Sequence, residues 1–500
     1  MKKIIRVLSI LIITVLVMTA VSCNSNNGSA NNANNADTQN TGNSGDTPEG
    51  TTQPDVNSIL ASQPDADYGG YEFRIWTSNK FNDTLDGRQA PDEQETGDVL
   101  NDALFRRDRL IEDKYNIQIN YTIAQTGDPS SELLGKARNA IKAGDDAFDF
   151  GMDNMINFTK NLAQDGMLVD FNSMPNIDLT QDWWSKYAIR DLTIDGKFFF
   201  PTGDITARYP GSQYLILFNK KLFADSGIDY PYQTVLDGKW TLNALTSITK
   251  DSRRDLNGDG VYKKADDSFG IVVESMAPFC FLEAGGEGLI KIVDGNPTLN
   301  YTAEKTVAIM DKLSSLWSDP NLIYYPENYQ TYDEVPIFKS DRALLVAMTG
   351  SNLPLFKDME SDFGILPLPK YDETQDDYYS YCQPYGSAAV CVPVTNSDLN
   401  RTGMIIEAMA AAGRYTSTPA QYDITLKQKY SRDNDSEAML DIICAGSCYD
   451  FAFIYNWGSL YDTFVQTINK GQSFTSKFDA ITPKVQAALD KTIAAYETSQ

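Results

Sequence analysis

The chain has 500 residues, 42% hydrophobic, 11% aromatic and 22% charged, with a formal net charge of -26 and no histidine. That length exceeds one ordinary core, so two domains or lobes are expected. The negative surface argues against nucleic acid as a partner. The missing histidine excludes Ser-His-Asp and Cys-His catalysis and His-bearing zinc sites, while carboxylate-only chemistry such as glycoside hydrolysis stays open.

Lys2, Lys3 and Arg6 precede an apolar run from Val7 to Val21, the pattern of a secretory signal over residues 1–22. Its end, Ala20-Val21-Ser22-Cys23, resembles the lipobox of bacterial lipoproteins, with Ala20 where Leu is usual. That resemblance implies a lipidated Cys23 and anchoring to a membrane without spanning it. Residues 23–66 are Asn, Ser, Gly, Thr and Asp with almost nothing apolar, so a disordered polar tether is expected. Cys280, Cys382, Cys391, Cys444 and Cys448 match no disulfide scaffold and read as buried free thiols, with a Cys444–Cys448 bridge as the alternative.

Order begins with the alternating strand Tyr71 to Thr77. A helix from about Asp98 places Leu100, Leu104, Ile111 and Tyr115 on one face. The strand Ile117 to Ile123, a helix through Leu133 and Ile141, the strand Phe148 to Met152 and a helix ended by Gly166 follow. Asp195-Gly196 turns into Phe198, Phe199 and Phe200, and after Pro201 and Gly203 a second apolar run, Tyr214 to Phe218, leads to Asn219 as a helix cap. The long turn between them reads as a passage from one lobe to another. Further strands are expected at Phe269 to Val273, Ala343 to Met348, Phe363 to Leu368 and Ala388 to Val392, and the chain is mainly helical from Asp398. This alternation argues for α/β layers with a largely parallel sheet.

Several segments together resemble the extracellular solute-binding proteins of bacterial ABC importers, in the group that includes maltose-binding proteins. They are the lipobox and tether, Phe73 to Thr77, Phe148 to Phe171, Asp195 to Phe223, Asp237 to Thr241 and Phe363 to Pro369, in that order over about Tyr71 to Gln500. The resemblance implies a two-lobed periplasmic-binding-protein-like fold (type II) with a ligand cleft and three inter-lobe crossings. Laid on this chain, it gives an N-terminal lobe of 67–207 plus 345–378 and a C-terminal lobe of 212–342 plus 385–500, with crossings near Thr206, Asp341 and Tyr381.

A sugar pocket needs aromatic faces for the rings and carboxylates or amides for the hydroxyls. Ligands of open α/β sheets lie at the carboxyl ends of strands, which favours Trp76, Thr77, Asp153, Asn154 and Met348. Trp457 resembles the family's helix start that supplies a stacking aromatic. Asp204, Arg208 and Tyr209 lie in the first crossing, where relatives place a carboxylate. Glu283 precedes Gly285-Gly286, whose backbone can approach a ligand, and Tyr385 borders the third crossing. Trp240, Trp317 and the pair Trp183-Trp184 read as packing.

Residues 255–266 carry a calcium-loop pattern, with oxygen side chains at Asp255, Asn257, Asp259 and Asp266, glycine at position 6 and the Val261 carbonyl at position 7. Asp266 replaces the usual Glu and Lys263 occupies position 9. A structural calcium ion is therefore expected, and no cofactor is required. The expected function is capture of an oligosaccharide or other polar small solute by a lipid-anchored monomer outside the cytoplasm, for delivery to ABC permease subunits. The alternatives are a carbohydrate-active enzyme with paired carboxylates and a ligand sensor for a membrane kinase.

Overall fold

The computed structural model describes residues 55–78, 89–124, 129–207, 211–319, 323–324, 333–421 and 433–498. The strands of its two principal sheets are β1 (Tyr71–Ser78), β2 (Ile117–Ala124), β3 (Phe150–Asn154), β4 (Tyr214–Asn219), β5 (Phe269–Val273), β6 (Ile323–Tyr324), β7 (Ala343–Thr349), β8 (Phe363–Leu366) and β9 (Ala388–Cys391). The helices that matter below are α1 (Val99–Tyr115), α2 (Pro129–Ala143), α3 (Lys186–Asp191), α4 (Ala277–Ala284), α5 (Leu399–Tyr415), α6 (Asn434–Ala445) and α7 (Phe474–Thr498).

The first sheet has the order β9-β3-β1-β2. β1 runs parallel to β2 and β3, while β9 returns antiparallel to β3 with Val390 opposite Met152. Phe73, Ile75 and Thr77 of β1 are buried on one face, whereas every residue of β3 is buried, as expected of an inner strand covered on both sides. α1 starts where the Asp98 carboxylate accepts the Asn101 N–H. It stops at Asn116, whose φ of 48° leaves the helical region, and it buries Leu104, Ile111 and Tyr115.

The second sheet has the order β6-β5-β7-β4-β8, with β7 parallel to β5 and antiparallel to β4. β4, β5, β7 and β8 are buried throughout. Leu215, Leu217, Val346, Met348, Phe356 and Phe363 form a separate cluster on one face.

Strand pairing corrects the lobe boundaries expected from sequence. Residues 345–378 do not return to the first sheet, because β7 and β8 flank β4 in the second. Asp341 is no crossing; it sits in a turn before β7 with φ 57°, and Asn219 Nδ2 donates to its carboxylate at 2.6 Å. Conversely, β9 joins the first sheet and α5 packs on α1, so 388–421 belong to the first half rather than to a C-terminal lobe. α6 packs against β8, so 434–445 belong to the second half. An apolar run reveals that a strand is buried but not which strand lies beside it, and this is why the boundary failed while the strands themselves were found.

α7 packs both on residues 457–459 and on the helix Lys160–Gln164 of the first half. The helix Leu460–Asn469 packs on α4 of the second. The C-terminal helices therefore touch both halves. Among the described residues no helix is long and apolar enough to cross a membrane. Cys280, Cys382, Cys391 and Cys448 are buried free thiols, and Cys444 is half-buried.

Candidate functional site

Parallel strands end at a common edge, and in the first sheet that edge is held by a polar network. The Asp153 Oδ1 accepts hydrogen bonds from Ser78 Oγ at 3.1 Å, Ser130 Oγ at 3.2 Å and the Asn154 N–H at 2.6 Å. Asn154 Nδ2 donates to Ser130 Oγ at 2.7 Å, and its own Oδ1 caps the following turn through the Asn157 N–H. Thr77 Oγ1 donates to the Met152 carbonyl at 2.7 Å. Thr77, Asp153 and Asn154 are thus brought together at the strand ends. Trp76 is not aimed the same way. It is half-buried on the face of the sheet, stacked on Phe148 with centroids 4.5 Å apart.

In the second sheet, β5 ends at Val273 and hands over to Glu274, and β7 ends at Thr349. Glu274 accepts from the Thr349 N–H at 3.4 Å, from Thr349 Oγ1 at 3.2 Å and from Asn352 Nδ2. Burial, reinforced by the charge of Glu334, pushes the Glu274 carboxyl up to about 8. Burial likewise holds Glu334 at about 7. A carboxyl kept neutral near pH 7 both donates and accepts, which suits a hydroxyl ligand. Glu274 and Asn352 were not singled out from the sequence. The signal was present, since Glu274 is the first polar residue after the apolar run Phe269–Val273, at a parallel strand's carboxyl end.

The two edges meet at a hinge of three short segments. Gln213 bridges Cys382, and the Cys382 N–H donates to the Cys448 carbonyl at 2.9 Å. Ser380–Tyr381 and Ser447–Cys448 run parallel beside each other. The hinge touches both sheets. The Met155 N–H donates to the carbonyls of Pro384 and Ser387, and the Gly350 N–H donates to the Gln213 carbonyl at 2.8 Å. Gly211 borders Gln421 from the end of the first half's helical segment and Ser351 from the edge of the second sheet. The first and third expected crossings, near Thr206 and Tyr381, flank this hinge.

The remaining predicted residues fall elsewhere. Asp204 is 3% exposed; Thr418 Oγ1 donates to its Oδ1 at 2.7 Å and Arg414 to its Oδ2 at 3.2 Å, so both oxygens tie the first crossing to the end of α5. Met348 is fully buried in the second sheet's core. Trp457 is 2% exposed, stacked on Tyr455, with Nε1 donating to Thr492 Oγ1 at 2.8 Å. Tyr385 packs edge-on against Phe453. Glu283 lies at the end of α4 against Asp450. Arg208, Tyr209 and Cys23 lie outside the described residues. Trp240 and the Trp183-Trp184 pair pack as expected: Trp240 Nε1 donates to the Pro367 carbonyl, and both neighbouring indoles donate to Glu407 at 3.0 Å.

In the loop 255–266 the side-chain oxygens turn onto the loop itself. Asp255 accepts the N–H groups of Gly258 and Gly260, Asn257 that of Asp259, and Asp259 that of Val261. Lys263 Nζ lies 2.7 Å from Asp259 Oδ2. Among the described residues, no group of three or more His, Cys, Asp or Glu stands close enough to hold a metal ion.

No protein-family model matches the chain, and no curated protein matches it in sequence. Solved structures do match. An ABC substrate-binding protein from Listeria monocytogenes in complex with cycloalternan is 14% identical, with 85% of this chain and 99% of that one covered at a TM-score of 0.53. A cyclo/maltodextrin-binding protein complexed with maltotetraose is 13% identical over 85% of this chain and 96% of that one, at 0.54. An extracellular solute-binding protein from Staphylococcus aureus in complex with maltose is 12% identical over 84% and 98%, at 0.55. At these identities the likeness is one of fold: the chain has the two-lobed α/β fold of these proteins.

Proposed function

We propose that this protein captures a carbohydrate, an oligosaccharide by preference, between its two sheet edges and delivers it to an ABC permease by closing about the hinge. The observation that carries this reading is the convergence of two polar strand edges on one three-segment hinge, in a fold shared with proteins solved with cycloalternan, maltotetraose and maltose. Binding needs only the difference in ligand affinity between open and closed forms, with no covalent step. The reading is therefore non-enzymatic. Residues 1–23 support a monomer anchored outside the cytoplasm through a lipidated Cys23, but the disordered tether expected over 23–66 does not extend over 56–62, because Val56–Ser62 is a helix that buries Leu60 and packs on α5. The spacing of 255–266 supports a structural calcium ion, which requires Asp266 to join Asp255 and Asp259 and Lys263 to leave Asp259.

The test is a thermal-shift screen of the full chain against maltose, maltotetraose, cycloalternan and other oligosaccharides, followed by chromatography of the recovered sugar. A raised midpoint with the sugar intact is the expected result. Failure of every sugar, with a shift from peptides instead, overturns the carbohydrate assignment; loss of intact sugar overturns the non-enzymatic one.

A further inference from the structure

The C-terminal helix α7 is gripped at both ends, by a different half at each. Near its start, Phe478 packs on the Tyr301 ring with centroids 4.6 Å apart, and the hydroxyls of Tyr301 and Thr482 share a hydrogen bond at 2.6 Å. Tyr301 follows the hairpin 290–299 of the second half. Near the helix end, Thr492 Oγ1 accepts from Gln164 Nε2 at 3.2 Å and from Trp457 Nε1 at 2.8 Å, and Tyr496 meets Phe199 edge-on at 4.8 Å. Gln164 and Phe199 belong to the first half. About 15 Å of helix separates Thr482 from Thr492.

A second tie outside the hinge is weaker. The Asp195 N–H donates to the Gly295 carbonyl at 2.7 Å, between the exposed tips of two hairpins, one from each half. Movement of the halves can exchange that single bond for bonds to water. α7 has no such release, because Phe478, Thr492 and Tyr496 are buried. When the halves move, this helix has to bend.

Its sequence supplies the place. α7 carries Pro483 in its interior and contains no glycine. Proline has no N–H for the Asp479 carbonyl, and its ring crowds that carbonyl. Both residues are exposed, so water satisfies the carbonyl and bending there disrupts no packing. Pro483 also stands between the two grips. Thr482 precedes it, and Val485 beyond it lies so close to Gly458 that a Cβ on that glycine would come 2.7 Å from the Val485 nitrogen. We propose that α7 is a strap across the two halves that bends at Pro483 and whose stiffness limits how far they move. This rests on the lobe closure proposed above.

The experiment measures the distance between the halves in the unliganded full-length protein by double electron–electron resonance. Nitroxides are attached through Gln118→Cys in β2 and Leu236→Cys in the second half, both exposed, in a Cys23→Ser, Cys444→Ser background; the four other cysteines are buried. Pro483→Ala restores the missing N–H and stiffens the strap, so the distance distribution narrows. Lys484→Gly, exposed beside the bend, loosens the strap and broadens it. Gln486→Ala, exposed further along the helix, leaves it as in wild type. An unchanged distribution in Pro483→Ala or Lys484→Gly overturns the proposal, as does a change in the same direction in both or narrowing by Gln486→Ala equal to that by Pro483→Ala. Maltotetraose added to the same samples reports closure. A wild-type distance that the sugar leaves unchanged counts against sugar capture alone, because the unliganded widths decide the strap.

Discussion

The Gln383 backbone N–H donates to the Ser212 carbonyl at 2.9 Å, pinning the outgoing crossing against the returning one. The same strand segment, one residue earlier, bonds to Cys448. A hinge built from adjacent short segments bends about one line while resisting shear, because sliding one segment past the next breaks several backbone bonds together. The sheets joined by this hinge have their carboxyl ends where it attaches, at Met155 and Gly350.

The first crossing is also gripped from α5. A Cβ on Gly413 would lie 2.0 Å from the Asp204 carbonyl oxygen, a backbone atom that cannot swing aside. Gly413→Ala must therefore push α5 off the crossing. The expected cost is about 3 kcal/mol, the upper range for overpacking a tight core contact. Urea denaturation checks this, and a midpoint equal to wild type removes the grip from the argument.

Glu407 fastens two indoles at once, accepting from Trp183 Nε1 and Trp184 Nε1 on separate oxygens. Burial raises its carboxyl from 4.5 to about 7. A raised carboxyl favours the folded state while protonated, so this contribution is full below the unfolded value and is lost as pH rises through about 7. Wild-type stability should fall between about pH 5 and pH 8 more steeply than that of Glu407→Gln. The glutamine offers one oxygen where two indoles need acceptors, so the variant should also lose about 1–3 kcal/mol at acid pH. Parallel pH slopes in urea denaturation would sink the assignment.

Much of the fold was legible because strands announce themselves locally. Phe269–Val273 and Ala343–Thr349 are apolar runs stopped by polar residues, and both are strands. Partnership is not local: nothing in Ala343–Thr349 states that Tyr214–Asn219 lies beside it, and the lobe boundary failed there. Site residues divided along the same line. Asp153 and Asn154 follow from a strand-end rule and stand in a polar network. Trp457 was selected for its chemistry, but its burial depends on α7, a distant partner. Glu274 was passed over although the same strand-end rule applies to it.

The loop 255–266 gives a decisive calcium experiment. Binding there requires a cation to displace Lys263 from Asp259, where the ammonium sits 2.7 Å away. The expected outcome for chelator-stripped protein is saturable heat at millimolar calcium, tightened in Lys263→Ala because the competing charge is gone. No heat in either protein leaves the loop as a turn closed by its own backbone.

Glu274 is the sharpest probe of the proposed cleft. Its carboxyl, pushed up to about 8, is mostly neutral at pH 7 and can both donate to and accept from a sugar hydroxyl. Glu274→Gln preserves that dual role and the contacts to Thr349 and Asn352, so oligosaccharide affinity should stay within a few-fold of wild type. Glu274→Ala removes the acceptor and leaves Asn352 Nδ2 without this partner, so affinity should fall at least tenfold, about 1.4 kcal/mol. Wild-type affinity should change as pH rises through about 8, where the carboxyl loses its proton and can no longer donate, while the Gln variant stays flat. Calorimetry on either side of that pH separates the two proteins. Equal affinity in wild type and Glu274→Ala would place the sugar elsewhere, because an acceptor at the end of β5 cannot be lost from an occupied cleft without a change in binding.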